Sequence, residues 1–239
     1  RFGMKMCRHP EDAEDVLQET MLAMAKSFRD FRGHSSLSTW LYSIAHNFCI
    51  KKRRKSKFAP KSEESLDQLG PDLSGTLAST DQGPLDRAES KQAWERVSEA
   101  LDDLKLGHRE VLLLRDVEGL SAKEVSEVLG ISVAAVKSRL HRGRAELREA
   151  LAPTSTEVAR PGCPDIRTIF SRFLENELPS EICTTMEAHL ATCPTCTSEC
   201  DGFEATLKTC RSMPCDEPTD ACRLKVNLAL REALKSPQE

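Results

Sequence analysis

The chain has 239 residues, 39% hydrophobic, 5% aromatic and 30% charged, with a formal net charge of −4. Scarce aromatics and abundant charge argue against one large apolar core and favour about one to three small helical modules at this length. No apolar run reaches the roughly 18 residues of a membrane span and no signal-peptide pattern opens the chain, which predicts a cytoplasmic protein without membrane contact.

The opening residues, from Arg1 with no initiator Met, already fall inside a helical pattern, so part of the N-terminus is expected to be missing. Pro10-Glu-Asp-Ala-Glu14 starts a helix with acids in its first turn, where they complement the dipole. Val16, Leu17, Met21, Met24 and Phe28 then recur at helical spacing. A break at Arg32–Ser36 precedes a second helix from Leu37 to about Ile50, with Trp40, Leu41, Ile44 and Phe48 on its apolar side. The block that follows, Lys51-Lys-Arg-Arg-Lys-Ser-Lys57, sets up a local positive field that attracts phosphate; the alternative is a solvated face. Cys7 and Cys49 read as buried apolar fillers.

From Phe58 to Pro84 periodicity is lost among Pro, Gly, Ser, Asp and Glu, a composition that buries too little apolar surface to offset chain entropy. Helices resume near Asp86 and run to about Leu151, and Pro153–Thr156 with Pro161-Gly162 mark a second joint. The expected architecture is all-α: modules at 1–57, 86–152 and 161–239, with linkers at 58–85 and 153–160.

Residues 120–148 carry a helix-turn-helix pattern. Ser121 and Glu124 make a capping box, Gly130 supplies the permissive backbone of a tight turn, and Ser132 caps the next helix. Val125, Leu129, Ile131, Val136 and Leu140 are expected inward, and Ser132, Lys137, Ser138, Arg139, Arg142 and Arg144 outward. Such a basic face fits the DNA major groove, reaching phosphates and guanine edges. An ordinary helical hairpin with a solvated basic face is the competing reading.

Eight of the ten cysteines lie between Cys163 and Cys222. In a reducing compartment such density points to metal binding or redox chemistry rather than a disulfide framework. His189 and Cys193 are four apart, so one helix face would carry both; Cys196, past Pro194, swings onto the same ion, and Cys163 is a natural fourth ligand. Zn²⁺ or another soft ion such as Cu or Cd suits this donor set. A structural His and a redox-active Cys-x-x-Cys are the alternatives. Cys183, Cys200, Cys210, Cys215 and Cys222 exceed one site and suggest a second site or ligand exchange; Cys200 could share the helical face of Cys196. Ala221–Lys235 forms an amphipathic helix with Leu224, Val226, Leu228, Leu230 and Leu234.

Two separated blocks resemble the sigma-70 family of bacterial sigma factors, in its extracytoplasmic-function (ECF) form. Asp12–Glu19 with Ser38–Asn47 is similar to region 2, and Gly107–Arg115 followed by the helix-turn-helix is similar to region 4. One departure is that the first helix of region 2 is absent or short. The resemblance implies that Asp12, Glu14, Asp15, Gln18 and Glu19 meet the β′ clamp helices of core RNA polymerase. It places Asn47 with Lys51, Lys52, Arg53 and Arg54 at the −10 element, a surface that Trp40 supports from the core, and Lys137, Ser138 and Arg142 at the −35 element, with Arg139 beside them. The tail resembles the zinc-binding anti-sigma fold, including the motif Phe170–Leu178 between Cys163 and His189, and the fused arrangement resembles the CorE-like metal-responsive group. In anti-sigma proteins a helix like Ala221–Lys235 packs between regions 2 and 4; alternatively it closes its own small domain.

These readings predict a promoter-recognition factor, not an enzyme, regulated in cis by metal at its own tail, with promoter DNA and core polymerase as partners and no separate anti-sigma partner. The competing functions are a thiol redox-sensing sigma factor and a one-component metal-sensing repressor; a repressor has no need of the Asp12–Asn47 block.

Overall fold

The computed structural model describes residues 2–7, 9–28, 31–58, 84–152, 162–214 and 218–235. Both expected linkers, apart from their edges, and Cys215 lie outside them. The described residues contain helices and no strand. They form two compact units, one of residues 1–83 with 214–239, the other of residues 84–213.

In the first unit α1 (Phe2–Met6), α2 (Pro10–Ser27) and α3 (Leu37–Phe58) pack together with α11 (Asp220–Lys235), which lies along α2. Phe2, Met6, Cys7, Ala13, Val16, Cys49 and Cys222 are buried. Helix α2 turns Ala13, Val16 and Thr20 inward, whereas Phe28, expected on the same stripe, is 55% exposed just past its end. Helix α3 runs eight residues beyond the expected stop at Ile50, because Lys and Arg are good helix formers and no breaker intervenes before Pro60. Trp40 packs on Phe31 with ring centroids 5.0 Å apart.

The second unit begins with α4 (Pro84–Asp103) and α5 (Leu106–Leu112), whose end widens into a π-helical turn over Leu113–Val117. There Glu118 donates its N–H to the Leu113 carbonyl at 2.9 Å. Helices α6 (Ala122–Leu129) and α7 (Val133–Leu151) follow. The capping box at Ser121 and Glu124 is formed, and Ser132 accepts from the Ala135 N–H at 3.2 Å. Gly130 ends α6 at φ +64°, a left-handed conformation that costs a glycine least. Val111–Leu114, Val125, Val136, Leu140 and Leu147 make the core here.

The same unit contains α8 (Ile166–Leu174), α9 (Ser180–Leu190) and α10 (Pro194–Ser212). Phe170 meets Phe203 edge-on at 5.3 Å, tying α8 to α10 above a floor of Leu207, Cys210 and Met213. Helix α8 packs along α7. Gly202 of α10 passes under the Arg148 guanidinium so closely that a Cβ there would collide with it, and a larger residue would have to push that side chain aside.

One expectation about α7 is overturned. Arg144, read as outward, is 2% exposed. Its guanidinium donates to Asp116 Oδ1 and Oδ2 at 2.6 and 2.9 Å, to Glu175 Oε1 at 2.9 Å and to the Ser171 carbonyl at 3.2 Å. A buried guanidinium is tolerated when its donors meet carboxylates in this way. Burial pushes the Arg144 pKa down, but the bonds to Asp116 and Glu175 outweigh it and leave the pKa raised.

Candidate functional site

The cysteine cluster is built by three segments. Cys163 precedes α8, whose first turn is capped by Asp165 accepting the Thr168 N–H at 3.2 Å. His189 sits in the last turn of α9, Cys193 is the N-cap of α10, and Cys196 lies in its first turn. His189 and Cys193 therefore do not share a helix face: α9 stops at Leu190, and Pro194 opens a new helix where its missing N–H costs nothing. The turn between the helices converges the ligands instead. One ligand atom from each of Cys163, His189, Cys193 and Cys196 lies within 4.8 Å of the others.

The spacings fit a tetrahedral ion. Cys163 Sγ and Cys193 Sγ are 3.8 Å apart, and His189 Nε2 is 3.2 Å from Cys196 Sγ. A tetrahedron with Zn–S bonds of about 2.3 Å has S···S edges of about 3.8 Å. Backbone N–H groups at the start of α10, Cys196 foremost, hold the Cys193 thiol below its ordinary pKa. Burial, with Cys163 and Cys193 beside it, pushes the Cys196 thiol up to about 12. Thiolates so crowded repel one another, and a bound cation reverses that balance.

Among the described residues, the extra cysteines Cys183, Cys200, Cys210 and Cys222 do not join this cluster. Cys183 and Cys200 are half-buried, while Cys210 and Cys222 are buried. Burial pushes the Cys210 thiol up to about 12 and raises Cys200 and Cys222 as well, the behaviour of packed thiols. Cys196 and Cys200 do share α10. In the first unit Cys7 and Cys49 are buried with their sulfurs 3.7 Å apart. The Cys49 contact holds the Cys7 thiol below its ordinary value.

The residues expected at DNA differ in their surroundings. Asn47, Lys51 and Arg54 are exposed along α3. Lys52 pairs with Asp12 and Asp15, and Arg53 donates to the Met6 carbonyl at 3.3 Å. The Asp15 bond comes first in holding the Lys52 pKa above its usual value. Thus two residues expected at −10 DNA bind residues of α2 and α1, two of them expected at polymerase. On α7, Ser138 and Arg142 are exposed, Arg139 lies over Gly107, and Lys137 meets Glu177.

Of the residues expected at polymerase, Asp15 is exposed, and Asp12, Glu14, Gln18 and Glu19 are half-buried. Glu14 accepts from the Thr219 hydroxyl at 2.7 Å, and that hydroxyl also accepts the Cys222 N–H at the start of α11. The acids Glu175, Glu177 and Glu199, partners of α7, were not singled out from the sequence. Their only local signal is the motif between Cys163 and His189, and it leaves Glu199 out.

Comparison with known proteins finds three family matches along the chain. A model of sigma-70 region 2 matches residues 1–58, a model of sigma-70 region 4 matches residues 94–147, and a zinc-finger family model matches residues 163–197. The chain is 34% identical over 156 residues to the RNA polymerase sigma factor YlaC of Bacillus subtilis, covering 65% of this chain and 87% of that one. It is 31% identical over 181 residues to the ECF sigma factor SigG of Mycobacterium tuberculosis, covering 68% of this chain but 48%, about half, of SigG. The solved sigma factor RpoE in complex with the anti-sigma factor NepR, from Bartonella quintana, overlaps 63% of this chain and 87% of its own. Its TM-score is 0.47 at 23% identity. The chain belongs to the sigma-70 family of RNA polymerase sigma factors. Within that family it is an ECF sigma factor carrying a C-terminal zinc-finger segment, and so a DNA-binding initiation factor rather than an enzyme.

Proposed function

We propose that this sigma factor is switched in cis by metal at its own tail. One observation carries the reading: the helix that begins at Cys193 and Cys196 is bonded to the second helix of the helix-turn-helix. Cys193 and Cys196 open α10, and three residues on Glu199 accepts from Arg148 of α7 at 3.2 Å and from Arg167 of α8 at 2.8 Å. Whatever fixes the first turn of α10 therefore bears on the helix proposed to read the −35 element.

Zn²⁺, or Cu or Cd in its place, would be held by Cys163, His189, Cys193 and Cys196 and would supply a tetrahedral clasp among three chain segments. The chain's own residues do the rest. Glu199 positions α7, and α11 covers part of α2, where Asp12, Glu14, Asp15, Gln18 and Glu19 are proposed to meet the β′ clamp helices. Asn47, Lys51 and Arg54 are proposed to meet the −10 element, and Ser138 and Arg142 the −35 element, in the cytoplasm where core polymerase works. One arrangement of the tail covers these surfaces and another frees them.

Run-off transcription with core polymerase, with and without zinc, copper or cadmium, tests the reading. Output is expected to depend on the ion in the native chain and to lose that dependence in Cys196→Ser, whose metal content should fall. Equal output under all conditions sinks it.

A thiol redox reading has one observation in its favour, the lowered Cys193 thiol 3.8 Å from Cys163. Thiol titration after peroxide, compared with metal loading, separates the two.

A further inference from the structure

Lys137, His141, Arg144 and Arg148 recur at i, i+4, i+7 and i+11 along α7 and so line one face. Each meets a carboxylate from the zinc-finger segment or the helix that continues it. Lys137 Nζ lies 2.8 Å from Glu177 Oε1, and His141 Nε2 lies 2.8 Å from Glu177 Oε2, its Nδ1 facing Ser171 Oγ at 2.8 Å. Arg144 meets Glu175, and Arg148 meets Glu199. Exposure is lowest at the middle of this stripe and highest at its Lys137 end. The Arg144 and Glu175 side chains are 1% and 3% exposed, whereas Lys137 and Glu177 keep 29% and 23%.

The turn Glu175-Asn-Glu177 makes this split. Asn176 adopts φ +54°, a left-handed conformation that Asn accepts more readily than most residues. Glu175 on one side of it meets the buried Arg144, and Glu177 on the other meets the outer end of the stripe. Beside that outer end lies an open cleft of about 680 Å³ lined by Lys137, Ser138, Arg142, Arg172 and Glu177. The outer end of α7 is thus not sealed, and the Lys137 cation there is already neutralised by Glu177.

We infer that the Glu177 carboxylate stands where a DNA phosphate would sit on α7, so that DNA and this acidic turn compete for Lys137. The inference rests on reading α7 as the promoter-reading helix. A carboxylate and a phosphate both offer anionic oxygens to an ammonium group. The buried Arg144 pair anchors the module, while the peripheral Lys137 pair is the one able to open. DNA must displace Glu177 before Lys137 can contribute a phosphate contact, which lowers affinity and removes one released counterion from the salt dependence.

Binding of a labelled random-sequence duplex to the full, metal-loaded chain, followed by fluorescence anisotropy across a KCl series, tests this. Glu177→Gln, close to isosteric, is expected to bind up to about five-fold tighter at low salt. Its plot of log K against log salt should steepen by about one unit. Glu181→Gln, at an exposed position in the first turn of α9, makes the same charge change and measures the general field effect. In a Lys137→Gln background the gain from Glu177→Gln should shrink to that of Glu181→Gln. Equal shifts from the two Glu variants, or a gain that survives loss of Lys137, overturn the inference while leaving α7 as a DNA-binding helix. No binding by any variant at any salt overturns the reading of α7, and the competition with it.

Discussion

Glu177 shows how a single carboxylate ties two modules together. Burial pushes its pKa up, but bonds from Lys137 and His141 outweigh that and hold it below the usual carboxylate range. A depressed folded pKa means the bond stabilises the fold fully above the unfolded carboxyl value, near 4.3. The contribution fades as pH falls through the folded value. Thermal melts of the native chain and Glu177→Gln should therefore differ between neutral pH and about pH 5, and converge once acidification carries the pH below the folded value. A gap that widens in acid contradicts the pairing. The sequence marked Lys137 but not its partner, since Glu177 lies 40 positions away and looks like any solvated acid.

Helix α7 was the most legible element and also the one most misread. Its cap, its apolar residues Val136 and Leu140 and its preceding turn all follow from local chemistry, and all are present. Its basic residues spread round the helix, and periodicity alone does not say which cation faces protein and which faces water. Arg144 faces protein because the π-helical turn after α5 brings in Asp116, 28 positions away, and α8 ends at Glu175, 31 positions away. Replacing Arg144 with Met leaves Asp116 buried without this cation and Glu175 with Arg115 in place of two guanidinium partners. The expected loss is about 3–5 kcal/mol, read by urea unfolding of the metal-loaded chain. A loss under about 1 kcal/mol would show the network to be dispensable. Helix α3 runs past the expected stop near Ile50 for a simpler reason: the basic block that follows is made of residues that favour helix.

At the scale of the whole chain, the last helix belongs with the first ones. Cys222 of α11 is 2% exposed, the neighbouring α2 carries the acids proposed to meet polymerase, and Thr219 binds Glu14 across 205 positions. The amphipathic pattern of Ala221–Lys235 was plain in the sequence, yet it left two destinations open. Leu224 and Leu228, two of its apolar residues, are 61% and 52% exposed, while the smaller Cys222 is buried. A charge at position 222 should loosen α11 from α2. Cys222→Glu is expected to bind core polymerase several-fold tighter than the native chain at equal metal loading, measured by pull-down or sedimentation. Unchanged binding, with α11 still protected from proteolysis, counts against a covering role for this helix.

Features written in short stretches of chain were decided by the sequence itself: the helices, the capping box at Ser121, the left-handed Gly130 and the set Cys163, His189, Cys193 and Cys196. Caps, periods and ligand spacings act over a few residues, or bring together donors whose chemistry has few other uses. Tertiary structure alone decided which cations of α7 are neutralised, that a turn rather than a helix face gathers His189 and Cys193, and that α11 lies along α2. A charge can be buried only where distant segments deliver its counter-charge, and an apolar stripe does not specify which of several apolar partners will cover it.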